Sequence, residues 1–361
     1  MASQMEVFNT GLVTSVGLDL AHSAASVRAG LNRFQALEDT SVFDDDWEAP
    51  ITGAPVSLLT KGYTQQARWL RLAEKAIKDL LSPPGSKERL IAESSPLMVI
   101  WALPNTSLFR WPDEQVPELL NQFLLAPLSR RIGIPLVTPS NGWICEGCSG
   151  GPRALRAIAR SINAEDLPYV LCIGVDSLLE PLCLQDLAEQ DRLKTPEQPT
   201  GLIPGEAAAA VLLKASTNGS RLKIYGALHK SLTLDREPEN WRSLSAYKIG
   251  RELGALILEA LSALGERIFV GDIYLDLNGE EWRAVTWSAA LVILKGSKKI
   301  DLDSCEYRIP ATSIGDVGAA SSLVAIGLTA ESVRRRYACA NFSLICSVSD
   351  QADIGVVLVG I

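Results

Sequence analysis

Cys145 and Cys148 enclose Glu146 and Gly147 and lead into a small-residue turn and a helix that runs through Ala159. A thiol at a helix start faces unpaired amide groups and the positive end of the helix dipole. Both stabilise thiolate, which makes Cys148 a candidate nucleophile. Its own amide could help to bind a thioester oxyanion. Pro152, within the first helical turn, is compatible with a helix that starts beside Cys148. The same position also reads as a buried cysteine kept at a tight turn for its size. The Cys145/Cys148 spacing admits two other readings, a dithiol redox centre and half of a zinc site. Zinc would want two more ligands at comparable spacing, and the only histidines, His22 and His229, stand alone in the sequence. No metal and no cofactor are therefore expected, and the surroundings of the pair lack a thioredoxin-like pattern.

The chain that must position these thiols has 361 residues, is 47% hydrophobic and carries a formal net charge of −8. That length can bury one large core or two medium ones. The negative balance argues against broad contact with nucleic acid or anionic lipid, which needs a concentrated positive field. Three local basic clusters, Arg130-Arg131, Lys295 to Lys299 and Arg334 to Arg336, read as solvated charge at element ends. The acidic run Asp44 to Asp46 beside Trp47 lacks the alternating ligand spacing and turn glycine of a calcium loop and reads as exposed loop. No targeting segment and no bilayer-length apolar run is present, so a cytoplasmic protein is expected. Seven scattered cysteines, most of them expected within apolar strands (Cys172, Cys183, Cys339 and Cys346), suit reduced core thiols better than a disulfide frame.

Helix and buried strand alternate along the sequence. Gly11–Leu18 reads as a short strand leading into a loop, followed by a helix with Ala25, Val27 and Leu31 on its apolar side. A second helix is predicted from Gln65 to Leu81, stopped by Pro83-Pro84-Gly85, and Pro96–Leu103 is an apolar run of strand length. In the first half, the turn and helix at Cys148 are followed by buried strands at Tyr169–Asp176 and Gly205–Leu213. The second half repeats that order with Ile314–Ile326, Phe342–Ser349 and Asp353–Val359. A layered α/β architecture of two duplicated units follows, 1–216 and 221–361, with a boundary near Thr217 to Ser220. The copies differ mainly between their last two strands, where the first carries the long segment Ser177 to Pro204. Asp191–Gly201 within it is polar and turn-rich and reads as surface loop.

Four landmarks in this order resemble the thiolase superfamily and, within it, the β-ketoacyl-carrier-protein synthases. They are Gly147-Cys148-Ser149 opening a helix, Gly174-Val175-Asp176 closing a strand, Thr200–Ala207 before the next strand, and Ile314–Ala320. The resemblance covers most of the chain. It implies a thiolase-like five-layered αβαβα fold of two related halves, an active site near their pseudo-twofold axis, and a homodimer. It also implies acyl-carrier protein or acyl-coenzyme A as partner, and Cys148 as the nucleophile.

The family's two catalytic histidines have no counterpart. The segment Asp272–Glu281 puts Asn278 at the first position, and Asp316 stands at the second in a segment one residue shorter. The closing glycine-rich loop is replaced by Ser349–Gly355. Condensation builds negative charge on a thioester enolate, which imidazoles stabilise. Asn278 could donate an amide hydrogen bond, whereas an ionised Asp316 would repel that charge. Asp316 could serve as a general base for acyl transfer or hydrolysis, but it is better suited to cap the helix beginning at Val317. Asp276 and Glu280 make the region more acidic than acyl-carrier substrates suggest. Arg283 and Trp287 share a helix face and read either as pocket lining or as core packing with a solvated arginine. Two functions follow: a divergent acyl-thioester protein not competent for decarboxylative condensation, or a non-catalytic scaffold or accessory protein. Degenerate ketosynthase-like proteins of this compact kind look similar to ones that accompany bacterial secretion systems.

Overall fold

The computed structural model describes residues 4–37, 51–82, 85–94, 96–109, 111–164, 168–216, 222–235 and 240–361. The acidic run at Asp44 to Asp46 with Trp47, the stop at Pro83-Pro84 and the boundary at Thr217 to Ser220 lie outside the described residues.

Ten strands carry the frame: β1 (Met5–Thr14), β2 (Leu97–Leu103), β3 (Leu136–Val137), β4 (Val170–Ser177), β5 (Glu206–Ala215), β6 (Lys223–Lys230), β7 (Gly271–Tyr274), β8 (Glu306–Arg308), β9 (Phe342–Val348) and β10 (Ile354–Gly360). Their hydrogen-bonded order is β8-β7-β9-β10-β6-β1-β5-β4-β2-β3, and the short strand Trp143–Cys145 joins β2 on the side. The β3-β2-β4 stretch is parallel, while β4-β5 and β5-β1 are antiparallel. The β8-β7-β9-β10-β6 stretch repeats that sequence of senses. The two stretches meet where Met5 and Glu6 of β1 pair with Ile224 and Lys223 of β6, and Val7 N donates to Leu222 O beside them.

Strands buried on both faces read as continuous apolar runs, because helices cover each side. In β5, Ala207, Ala209, Val211 and Leu213 face one core, while Ala208, Ala210 and Leu212 face another. The five principal helices are α1 (Gln65–Leu80), α2 (Gly150–Ala164), α3 (Trp241–Leu261), α4 (Glu281–Lys295) and α5 (Ser321–Arg335). The central core joins Leu155 and Ile158 of α2 and Leu323 and Ile326 of α5 to the inner faces of both stretches of sheet. Trp69, Leu72 and Ile77 of α1 cover one outer face, and Leu253, Ile257 and Leu294 of α3 and α4 cover the other. The layers are therefore helix, sheet, helix, sheet, helix, as the resemblance implies.

The N-terminal strand starts at Met5, upstream of the expected Gly11, because it is the inner strand beside both β5 and β6. The helix after it, Leu20–Arg28, buries Ser23 and Ala24, whereas Ala25 and Leu31 are exposed. Its contacts with the body come from Leu20 and Val27, so the apolar face lies one step away from the expected one. All seven cysteines are free thiols, but Cys183 sits on the helix Pro181–Glu189 and Cys339 is exposed beyond α5. Arg131, Lys295 and Arg334-Arg335 occupy last helical turns, where cations meet the negative dipole end.

Candidate functional site

The strand Trp143–Cys145 runs parallel to β2 and delivers the chain to a single 3-10 turn, Gly147–Ser149, which passes directly into α2. Cys148 is buried in that turn, 6% exposed, at the floor of a cleft. The cleft encloses about 630 Å³, its open mouth included, and is also lined by Leu108, Leu178, Leu187, Asp176, Arg192 and Asp316. Burial pushes the Cys148 thiol well above its ordinary range, and the charges of Asp316, Asp276 and Asp350 add to the effect against Arg283. The thiolate expected from the helix start is thus opposed by the surroundings. Burial likewise raises Cys145 to about 11, despite a hydrogen bond with Thr106.

Asn278 and Asp316 do come together. Asn278 Nδ2 donates to Asp316 Oδ2 at 2.7 Å and to Glu280 Oε2 at 2.9 Å, while its Oδ1 accepts from the Glu280 amide at 3.1 Å. Both amide protons of Asn278 are therefore committed to carboxylates. Asn278 lines a second cavity of about 440 Å³, with Tyr274, Pro310, Ile314 and Ile345, and Cys148 does not line that cavity. Asp316 stands between the two cavities and lines both. Its Oδ1 accepts from Gly318 N at 2.9 Å, the role of a cap at the turn Gly318–Ala320 that precedes α5.

A second carboxyl crosses between the halves to the same turn. Asp176, at the end of β4, accepts from Ala319 N at 2.8 Å and from Ser177 N at 2.7 Å. Gly318 has φ +48°, and a Cβ there would overlap Asp176 Oδ2, so glycine is required twice over. Burial raises the Asp176 carboxyl to about 7, with Asp316 and Asp350 adding to the rise and the two amides opposing it.

Around these groups lies an ion-pair network that sequence reasoning missed. Arg192, 7% exposed, holds both oxygens of Glu280 at 2.6 and 2.9 Å and both oxygens of Asp350 at 2.9 and 3.0 Å. Arg283 is 2% exposed and reaches Asp276 at 2.8 Å, Asp350 at 3.2 Å and the Val348 carbonyl at 2.7 Å. It also lies over the Trp282 ring. Arg192 falls in the segment that reads as surface loop, and Arg283 reads from the sequence either as lining a pocket or partner surface or as a solvated arginine; both are buried. The first is buried because Leu193 and Leu202 close a bridge beside it, the second because three acids converge on it. Burial alone would raise Glu280 and Asp350, but Arg192 and Arg283 outweigh it and hold both below the carboxylate range. Burial raises Asp276 to about 6 against the pull of Arg283. A clustering of acids within ten residues of Asn278 was the available signal.

Of the two histidines, His22 is exposed beside Asp19, whereas His229 on β6 is not isolated. Its Nε2 lies 3.2 Å from Glu146 Oε2. Chemically, the cleft at Cys148 is lined by the acceptors Asp176, Asp316 and Asp350, by the fully engaged Arg192 and by the amide side chains of Asn105 and Gln351, with no histidine among its lining residues.

No family model matches the sequence, and no curated protein matches it. Among solved structures, an oxazolomycin ketosynthase domain from Streptomyces albus JA3453 is similar with a TM-score of 0.74 and 15% identity, over 99% of this chain and 74% of that one. A ketosynthase structure described as a type II acyl-carrier protein in complex with its hexaketide-bound ketosynthase gives a TM-score of 0.72 and 11% identity, over 100% and 99%. A β-ketoacyl synthase from Burkholderia phymatum STM815 gives 0.69 and 14%, over 99% of each chain. The chain has the thiolase-like fold of the β-ketoacyl synthases.

Proposed function

We propose that this protein does not carry out decarboxylative condensation and acts as a non-catalytic scaffold or accessory subunit built on the ketosynthase fold. The observation that carries the reading is the commitment of Asn278. The group at the first histidine position spends both its protons on Glu280 and Asp316 and lines a different cavity from Cys148. An enolate at Cys148 would meet Asp316 and no imidazole, and removing one oxyanion donor costs about 10²–10³ in rate in acyl-transfer enzymes. A second reading, binding or transfer of an acyl thioester through Cys148, is favoured by the cleft that reaches the thiol and by its leucine lining.

Intact-protein mass spectrometry after incubation with acyl-coenzyme A or acyl-carrier protein separates the two. No adduct, and no carbon dioxide release from a malonyl thioester, is expected on the scaffold reading. An adduct on the wild type that Cys148→Ala abolishes would establish acyl transfer instead, and condensation product would overturn both readings.

The same footing extends to assembly. We propose a cytoplasmic homodimer whose partners include an acyl-carrier protein; the carrier complex of a ketosynthase with this fold supports the last point. The edge strand β3, with Val137 46% exposed, is an available pairing edge. The repeated order of strand pairing supports two duplicated halves, 1–216 and 221–361.

A further inference from the structure

We propose that Glu146, His229 and Asp353 form a binding site for a divalent transition-metal ion, with Zn²⁺ as its simplest occupant. One imidazole nitrogen and one oxygen from each carboxylate lie within 4.8 Å of one another. The residues come from three places. Glu146 precedes the Cys148 turn, His229 is on β6, and Asp353 leads into β10. The β6–β10 register pairs His229 with Gly355, so His229 and Asp353, two positions on, share the face of the sheet on which α2 packs.

Two observations point to a ligand rather than to a plain ion pair. The His229 side chain is only 8% exposed, and its Nε2 has no hydrogen-bond partner; Glu146 Oε2 is likewise buried without one. These two atoms stand 3.2 Å apart without hydrogen-bond alignment. Ligand atoms about 2.0–2.1 Å from a tetrahedral ion stand ~3.3 Å apart, so the spacing already matches one edge of a coordination tetrahedron. Arg153 takes the other oxygen of Glu146, which leaves Oε2 as a monodentate ligand held from behind. Arg156 donates to the His229 carbonyl at 3.2 Å and fixes the backbone beneath the imidazole. Two carboxylates and a neutral imidazole suit borderline ions such as zinc. The site does not depend on whether Cys148 reacts, because none of the three ligands is a thiol. It would tie the Cys148 turn of the first half to the sheet of the second.

The test is zinc titration of chelator-stripped full-length protein, with bound metal counted by mass spectrometry and affinity by calorimetry. One equivalent of Zn²⁺ is expected on the wild type and on Cys148→Ala, with affinity lowered by at least about tenfold in both His229→Ala and Asp353→Asn. Circular dichroism establishes that each variant is folded, and the conservative Asp353→Asn serves if His229→Ala is not. Absence of wild-type binding at millimolar zinc overturns the proposal. So does unchanged affinity in a folded His229→Ala or Asp353→Asn. Loss on Cys148→Ala with retention in His229→Ala assigns the metal to the thiol pair and overturns it as well.

Discussion

Two turns of the same build face each other at the centre of the molecule. Gly147–Ser149 runs into the fifteen residues of α2, and Gly318–Ala320 runs into the fifteen residues of α5. They come so close that a Cβ on Gly151 would overlap Ser322 Oγ. The first turn carries a thiol, Cys148, and the second carries Ala319 at the matching place. The second turn has its amides taken by two carboxyls, Asp316 on Gly318 and Asp176 on Ala319. Those acids serve the second turn but stand beside the thiol of the first. The centre of the molecule is thus lined by acceptors, and Asp176 acts in holding the second turn to the first half.

The largest expected effect comes from cutting the link between the halves. Arg192→Met leaves Glu280 buried with Arg283, 3.5 Å away, as its remaining cation, which should cost up to about 3–5 kcal/mol at neutral pH in urea denaturation. Asp350, with 43% of its side chain exposed, should contribute little to that cost. Glu280 is depressed in the folded wild type, so its contribution is present above the unfolded carboxyl range and fades as pH falls through the folded value. The gap between wild type and variant should therefore narrow near pH 4; an equal gap at all pH values would mean that Arg192 acts through packing.

Asp176 tests the other side with the opposite sign. Its folded value near 7 lies above the unfolded one, so the native state keeps a proton that the unfolded chain has released. Stability should fall by about 2 kcal/mol between pH 5 and pH 8, with Asp276 contributing in the same direction, and Asp176→Asn should flatten that slope. A wild-type protein that gains stability over this interval would contradict the assignment.

Gly318→Ala should cost about 1–3 kcal/mol through its positive φ and its contact with Asp176, read as a lowered melting temperature. Gly62, also at positive φ but in open space, supplies the control and should cost less. Smallest is the thiol itself. Alkylation of Cys148 by iodoacetamide at pH 7.5 should be slow, and Asp316→Asn should speed it roughly threefold to tenfold by removing a neighbouring charge. Rapid alkylation of the wild type would restore Cys148 as a nucleophile.

Much of the frame is legible in the residues. The runs at Tyr169, Gly205, Phe342 and Asp353 fall on β4, β5, β9 and β10 within a residue or two, because strands buried on both faces cannot hide their apolar character. The predicted helix at Gln65 ends at Leu80, one residue early. The site is legible in part: Asn278 and Asp316 meet, and Asp316 caps its turn. What the sequence does not disclose is partnership over distance. Arg192 lies 158 positions from Asp350 and His229 lies 83 positions from Glu146, so neither pair leaves a local pattern. A buried arginine and a solvated one look alike until the acids that hold it are placed.

Asp176 and Ala319 are separated by 143 positions of chain. At a synthesis rate of 5–20 residues per second, roughly 7–29 s elapse between the making of one and the making of the other. Until the second half arrives, Asp176 lacks the burial that raises its carboxyl to about 7 in the folded protein. Docking of the second half therefore favours the protonated carboxyl, and the docked form should be favoured more in a mildly acidic medium than in an alkaline one.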